Sequence, residues 1–204
     1  MIGDAAERIP LVDESIRRLR MMCRRRKRRR ATTNASGQHA DYAEWVREHD
    51  TPTATELSSM REASREFSVV PTISVIMPVF NTAPQILEEA IQSVRDQAYE
   101  RWELCVADDL STVPEVRRIL ERHATADPRI KVRFRTSRGG ISATSNTALE
   151  MATGEFVALL DHDDILPPHA LYWVAEAIDR HPDAAILYSD EDKIDGDGRR
   201  FHPY

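Results

Sequence analysis

From residue 71 onward, short apolar runs alternate with stretches of helical period. That alternation is the feature that most limits what this chain can fold into. Residues 73–77 (ISVIM) are a β-branched run that Pro78 should end as a first strand. Pro84 then opens a helix with Leu87, Ala90, Ile91 and Val94 on one stripe. Residues 103–107 read as a second strand, and Val116, Ile119, Leu120 and Ala124 mark a second helix that stops near Asp127-Pro128. Residues 130–134 form a third strand and 142–152 a third helix, with Gly154 in the C-terminal glycine position. Residues 155–160 are a fourth strand, 168–180 a fourth helix with Leu171, Val174, Ala175 and Ile178 inward, and 185–189 a fifth strand. Strands that are nearly all apolar are covered on both faces, which is the mark of a mostly parallel sheet flanked by helices.

The first 70 residues differ. They hold 14 Lys and Arg against 11 Asp and Glu, while residues 71–204 hold 14 against 23. Residues 24–30 (RRRKRRR) are seven adjacent cations, which repel one another and seldom pack in a core. The whole chain is acidic, with a formal charge of -6, and no aromatic residue interleaves the basic run. A specific nucleic-acid partner is therefore not expected. The run reads either as a solvated segment with no partner or as a contact for anionic lipid headgroups, which ranks above nucleic acid as a partner. Residues 31–40 read as a polar linker, 41–50 as a short helix with Tyr42, Trp45 and Val46 on its apolar side, and 55–67 as a second helix. The expected organisation is a basic, partly helical leader over 1–70 and an α/β domain over 71–204. Two cysteines, Cys23 and Cys105, are too few for a disulfide framework and lack zinc-site spacing. No secretory signal and no membrane-spanning run is visible, so a cytoplasmic protein, peripheral at the inner face of the membrane, is expected.

In parallel sheets ligands bind outside the carboxyl ends of the strands. Here those ends carry Pro78-Val79-Phe80-Asn81, then Asp108-Asp109, then Arg138-Gly139-Gly140-Ile141-Ser142, then Asp161-His162-Asp163-Asp164, and finally Asp190-Glu191-Asp192. Carboxylates converging on one crevice need a compensating cation, and oxygen ligands suit Mg2+ or Mn2+. Such ions usually bind one or two carboxylates plus substrate phosphates. Gly139-Gly140 alone reads as a tight turn; beside these acids it would also let a ligand approach the backbone, and the following helix N-terminus favours negative charge. His162 reads as a spacer.

These segments together resemble the nucleotide-binding half of family-2 glycosyltransferases with the GT-A fold. The carriers are residues 73–81 (ISVIMPVFN), 102–111 (WELCVADDLS), 139–146 (GGISATSN) and 154–164 (GEFVALLDHDD). Residues 188–195 (YSDEDKID) are similar to a block of bacterial members that build surface polysaccharides. The resemblance implies a GT-A, Rossmann-like sheet that binds a UDP- or dTDP-sugar. It implies metal-assisted, inverting transfer of the sugar to a glycan or lipid-linked glycan acceptor. By position, Phe80 would lie against the base, with Pro78 and Val79 shaping the pocket. Asp109 would accept a hydrogen bond from the base, with Asp108 beside it and Gly140 nearby. Asp163 would ligate Mn2+ or Mg2+, Asp161 would face the ribose or the metal, and Asp164 would support the sugar.

Two departures carry expectations of their own. Ser145 stands where the family often has Arg, so no cation is expected near the diphosphate from that position. The family's acceptor half and catalytic base normally follow later, so the base is expected beyond Tyr204 and the domain to be C-terminally truncated. The competing reading of the same features is a non-catalytic nucleotide-sugar-binding fragment. A haloacid-dehalogenase-type phosphatase is disfavoured, because its nucleophilic Asp follows the first strand. A dinucleotide oxidoreductase lacks its G-x-G-x-x-G signature here.

Overall fold

The computed structural model describes residues 35–195, 198–201 and 203, with side chains from Tyr42 onward. Residues 24–30 and Cys23 lie outside the described residues, as does the start of the expected linker. The chain divides into two compact units. One is Pro52–Ser189. The other joins the described residues up to Thr51 with those from Asp190 onward.

In the larger unit, helix α2 (Ala54–Ser64) opens on a capping box, in which Thr53 Oγ1 accepts from the Glu56 N–H and Glu56 accepts from the Thr53 N–H. The domain proper follows as β1 (Ile73–Val79), α3 (Pro84–Arg95), β2 (Trp102–Asp108), α4 (Pro114–Ala126), β3 (Ile130–Phe134), α5 (Gly140–Leu149), β4 (Phe156–Leu159) and α6 (Ala170–Arg180). The four strands are all parallel, in the order β3-β2-β1-β4. One sheet face carries Ile73, Val75, Met77, Val79, Leu104 and Val106, packed with the apolar stripes of α3, α4 and α6. The other carries Ile76, Cys105 and Ala107 under Ala148 of α5. This is the α/β, GT-A-like architecture read from the sequence.

Several local expectations are corrected. β1 does not stop at Pro78 but runs to Val79. The last β1–β4 pair is Ile76 with Leu159, so the missing N–H of Pro78 falls beyond the partner strand and breaks no rung. α4 buries His123 rather than Ala124, because His123 Nε2 meets Glu88 of α3 at 2.7 Å. α5 starts earlier than expected and ends at Leu149, well before Gly154. Gly154 is required for space: a Cβ there would stand 2.4 Å from the Thr72 carbonyl oxygen and 2.8 Å from Ser74 Oγ.

Residues 185–189 form no strand. Ile186 and Tyr188 are largely exposed, and no described strand pairs with the free edge of β4. Val157 and Leu159 of β4 are register partners of Ser74 and Ile76, on the α5 side of the sheet. They are 47% and 80% exposed, so this end of the sheet is not covered on both faces.

In the smaller unit, α1 (Ala35–His49) begins inside the segment expected to be linker. Strands β5 (Lys193–Ile194) and β6 (Arg200–Phe201) pair antiparallel, a hairpin that the sequence reading missed. Arg200 lies between Asp50 and Asp192, 2.6 Å from each, and the Tyr42 hydroxyl donates to Asp192 at 2.5 Å. Asp192 therefore serves this network. No helix among the described residues is long and apolar enough to cross a membrane.

Candidate functional site

The carboxyl ends of β1, β2 and β4 and the N-terminus of α5 surround a cavity of about 210 Å3. Seven of the nine residues singled out from the sequence line it: Pro78, Val79, Phe80, Asp109, Gly140, Asp161 and Asp163. Arg138, Ile141, Thr144 and His162 complete the wall. Asp108 and Asp164 do not line it. Asp108 is buried, with its Oδ2 accepting from the Ser111 N–H. Asp164 lies on the turn below, its N–H donating to the Asp161 carbonyl.

The β1 and β2 ends are tied together. The Asp109 N–H donates to the Val79 carbonyl at 2.8 Å, extending the ladder by one rung. Asn81 takes a left-handed conformation at φ 49°, which Asn tolerates better than most residues. Its side-chain oxygen accepts from the N–H groups of Thr112 (2.7 Å) and Val113 (3.4 Å). α4 has no side-chain cap, and Asn81 instead holds the turn that leads into it from another strand end. Leu110, just beyond Asp109, also lies in the left-handed region at φ 63°, an uncommon conformation for a side chain of its size.

Asp109 is the centre of the site. It is 2% exposed, and its carboxylate accepts from Arg135 Nε (3.1 Å) and from the Gly139 and Gly140 N–H groups (2.9 Å each). Burial pushes its carboxyl up, but the two glycine N–H groups and the charge of Arg135 outweigh that and hold its pKa below the usual carboxylate range. The expected anion at the N-terminus of α5 is thus a protein carboxylate, and those two N–H groups are committed to it. Gly140 holds φ 72°, so a side chain there would be strained although the space is open. At Gly139 a Cβ would meet Arg135 Nη2 at 2.5 Å.

The acidic turn after β4 is exposed. Asp161 and Asp163 reach the cavity, and His162, which also lines it, has its Nδ1 3.3 Å from Asp163 Oδ1. The turn is fixed from both sides. The Leu160 N–H bonds the Ile76 carbonyl, the Leu166 N–H donates to Ser93 Oγ of α3, and the Pro167 carbonyl accepts from Gln97 just beyond that helix. Among the described residues no three His, Cys, Asp or Glu side chains converge as a preformed metal cage.

Sequence reasoning had Arg138 and Ile141 at the third strand end without a role, and missed Thr144 as a wall residue and Arg135 as the partner of Asp109. Arg135 and Arg138 flank the turn into Gly139-Gly140, and a cation beside a committed acidic pair was the available signal.

Comparison with known proteins gives a consistent picture. The family described as Glycosyl transferase family 2 matches residues 74–204. An uncharacterized protein of Sinorhizobium fredii, y4gI, is 52% identical over 141 residues, which are 69% of this chain and 16% of that protein. The O-antigen biosynthesis protein RfbC of Myxococcus xanthus is 36% identical over 165 residues, 81% of this chain and 13% of the relative. The matched region is thus under one fifth of either relative. The crystal structure of S. aureus TarS 1–349 in complex with UDP-GlcNAc aligns with a TM-score of 0.50 and 32% identity, over 54% of this chain and 32% of that one.

Proposed function

This chain belongs to glycosyl transferase family 2, and on that premise we propose that its cavity is the donor site for a UDP- or dTDP-linked sugar. The sugar is transferred, with inversion, to a glycan or lipid-linked glycan acceptor of a bacterial surface polysaccharide. The observation that carries the reading is the convergence of Phe80, Asp109, Asp161 and Asp163 on one cavity from three strand ends. The aromatic face takes the base, and Pro78 and Val79 border it. Asp109 has its carboxylate in the wall for a base N–H, at the cost of sharing it with the glycine donors. The relative named for O-antigen biosynthesis and the TarS complex with UDP-GlcNAc support this direction.

Asp161 and Asp163 fit a divalent cation in one specific way. They supply two exposed carboxylates, the number Mg2+ or Mn2+ uses when diphosphate oxygens complete its shell. Such an ion, when bound, supplies Lewis-acid stabilisation of the nucleoside diphosphate leaving group. Asp164, on the same turn, would support the donor sugar. No described residue is assigned as the base that deprotonates the acceptor. A lipid-linked acceptor suits a protein held at the inner membrane face by residues 24–30, each worth about 1 kcal/mol near anionic lipid.

Calorimetric titration of UDP and dTDP, with and without Mn2+, tests the reading. Mn2+-dependent binding of either supports it. A chain with an intact thermal transition that binds neither nucleotide under both conditions rules it out.

A further inference from the structure

The two groups assigned to the nucleotide base are already covered by one side chain. The Arg138 guanidinium carbon stands 3.7 Å from the centre of the Phe80 ring. Its Nε is 3.9 Å from Asp109 Oδ2. A guanidinium is flat, cationic and edged with N–H donors. On this pair it offers what a pyrimidine would offer: a planar face to the ring and an N–H edge toward the carboxylate.

The neighbouring arginine shows what a structural role looks like here. Arg135 is 18% exposed and bonded to Asp109, the Ala143 carbonyl (3.0 Å) and Thr147 Oγ1 (2.5 Å). Arg138 is 58% exposed, and among the described residues no hydrogen bond holds it. It is also the one Lys or Arg among the cavity's wall residues, which otherwise include Asp109, Asp161 and Asp163. The N–H groups of Gly139 and Gly140 are spent on Asp109. Ser145 brings no charge from α5. A diphosphate entering this cavity therefore meets Arg138 as the available cation of the wall.

We propose that Arg138 is an exchangeable positioning residue: it covers the base platform of the empty site, is displaced from Phe80 by the incoming base, and then clamps the diphosphate. The proposal rests on the donor-site reading above and adds a role for a residue outside the family motifs. It makes Arg138 act with opposite sign on the two halves of the ligand. It competes with the base through its stacking on Phe80 and attracts the phosphates through charge-assisted hydrogen bonds.

The test compares uridine with UDP, both in Mn2+, on the wild-type chain and on Arg138→Ala and Arg138→Lys, with thermal melts alongside. Arg138→Ala should bind uridine about 2- to 5-fold more tightly, the worth of an exposed cation–π contact. The same variant should bind UDP about 10-fold more weakly or worse. Arg138→Lys keeps the charge and loses the plane. It should gain uridine affinity as the Ala variant does while holding UDP within about 3-fold of wild type. Equal weakening of uridine and UDP in Arg138→Ala, or no change in either, overturns the proposal while the donor-site reading stands. A folded wild-type chain that binds neither ligand overturns both.

Discussion

Single residues at this site have more than one task, and substitutions should separate them. Asp163 is exposed and among the described residues its one ion-pair contact is with its neighbour His162, so little of the fold leans on it. Asp163→Asn should abolish the gain in UDP affinity on adding Mn2+ and leave the melting temperature unchanged; calorimetry and a thermal melt read the two halves. Asp109 is the opposite case. Three protein donors converge on its buried carboxylate. Asp109→Asn turns an NH2 toward at least one of them, and an unsatisfied buried donor costs about 1–3 kcal/mol. That variant should melt at lower temperature as well as bind nucleotide less well. Asp109 and Gly140 were legible as site residues because they end a strand and open a helix. That each holds the other was not, because the contact spans about thirty residues of sequence.

Elements explain how the site stays in register. α4 begins without a side-chain cap, and the turn before it is held by Asn81, which sits at the end of β1. Asn81→Ala should cost about 1–2 kcal/mol in denaturant unfolding, through the lost side-chain bonds to the turn and the strained left-handed backbone. Asn81 was visible in its motif, but its purpose depends on two strand ends lying side by side. β4 gives a second element-level expectation. Its Val157 and Leu159 are exposed on an unpaired edge, a surface prone to strand addition by another chain. Leu159→Lys should reduce self-association in light scattering and leave the melting temperature of the monomer within about 1 °C, since surface substitutions of this kind stay within ~0.5 kcal/mol.

Across the whole larger unit, one buried ionic cluster links three of the four strands at the end away from the cavity. Glu103 accepts from Lys131 (2.6 Å), Ser74 (2.7 Å) and the Thr153 N–H (2.5 Å) and hydroxyl (2.8 Å). Burial alone would raise its pKa. The bonds from Lys131, Thr153 and Ser74 overcome that and lower it to about 2, from an ordinary 4.5. A depressed carboxyl contributes stability that is full above its unfolded pKa and fades as pH falls toward the folded one. The window is therefore pH 4.5 down to about 2, and the contribution is on the order of 3 kcal/mol. Glu103→Gln should lower stability at pH 7 and flatten the loss of melting temperature across that window. Asp109 and Asp127, whose pKa values are also lowered, should keep some acid sensitivity.

The sequence by itself determined the layer order, the parallel sheet and the set of strand ends that carry the site. Those follow from period, β-branched runs and punctuation, which are local and survive without a partner. Seven of the nine chosen site residues met in one cavity because parallel strands present their carboxyl ends on a common side. Only the tertiary structure decided the rest. Gly154 answers to the Thr72 backbone and not to a helix end, and residues 185–189 stay unpaired because a strand needs a neighbour as well as a propensity. Arg138 on Phe80, Arg135 on Asp109 and Asn81 on the turn before α4 are contacts between distant segments. No window of sequence contains both partners in any of them, and their energies exist only once the sheet has brought the ends together.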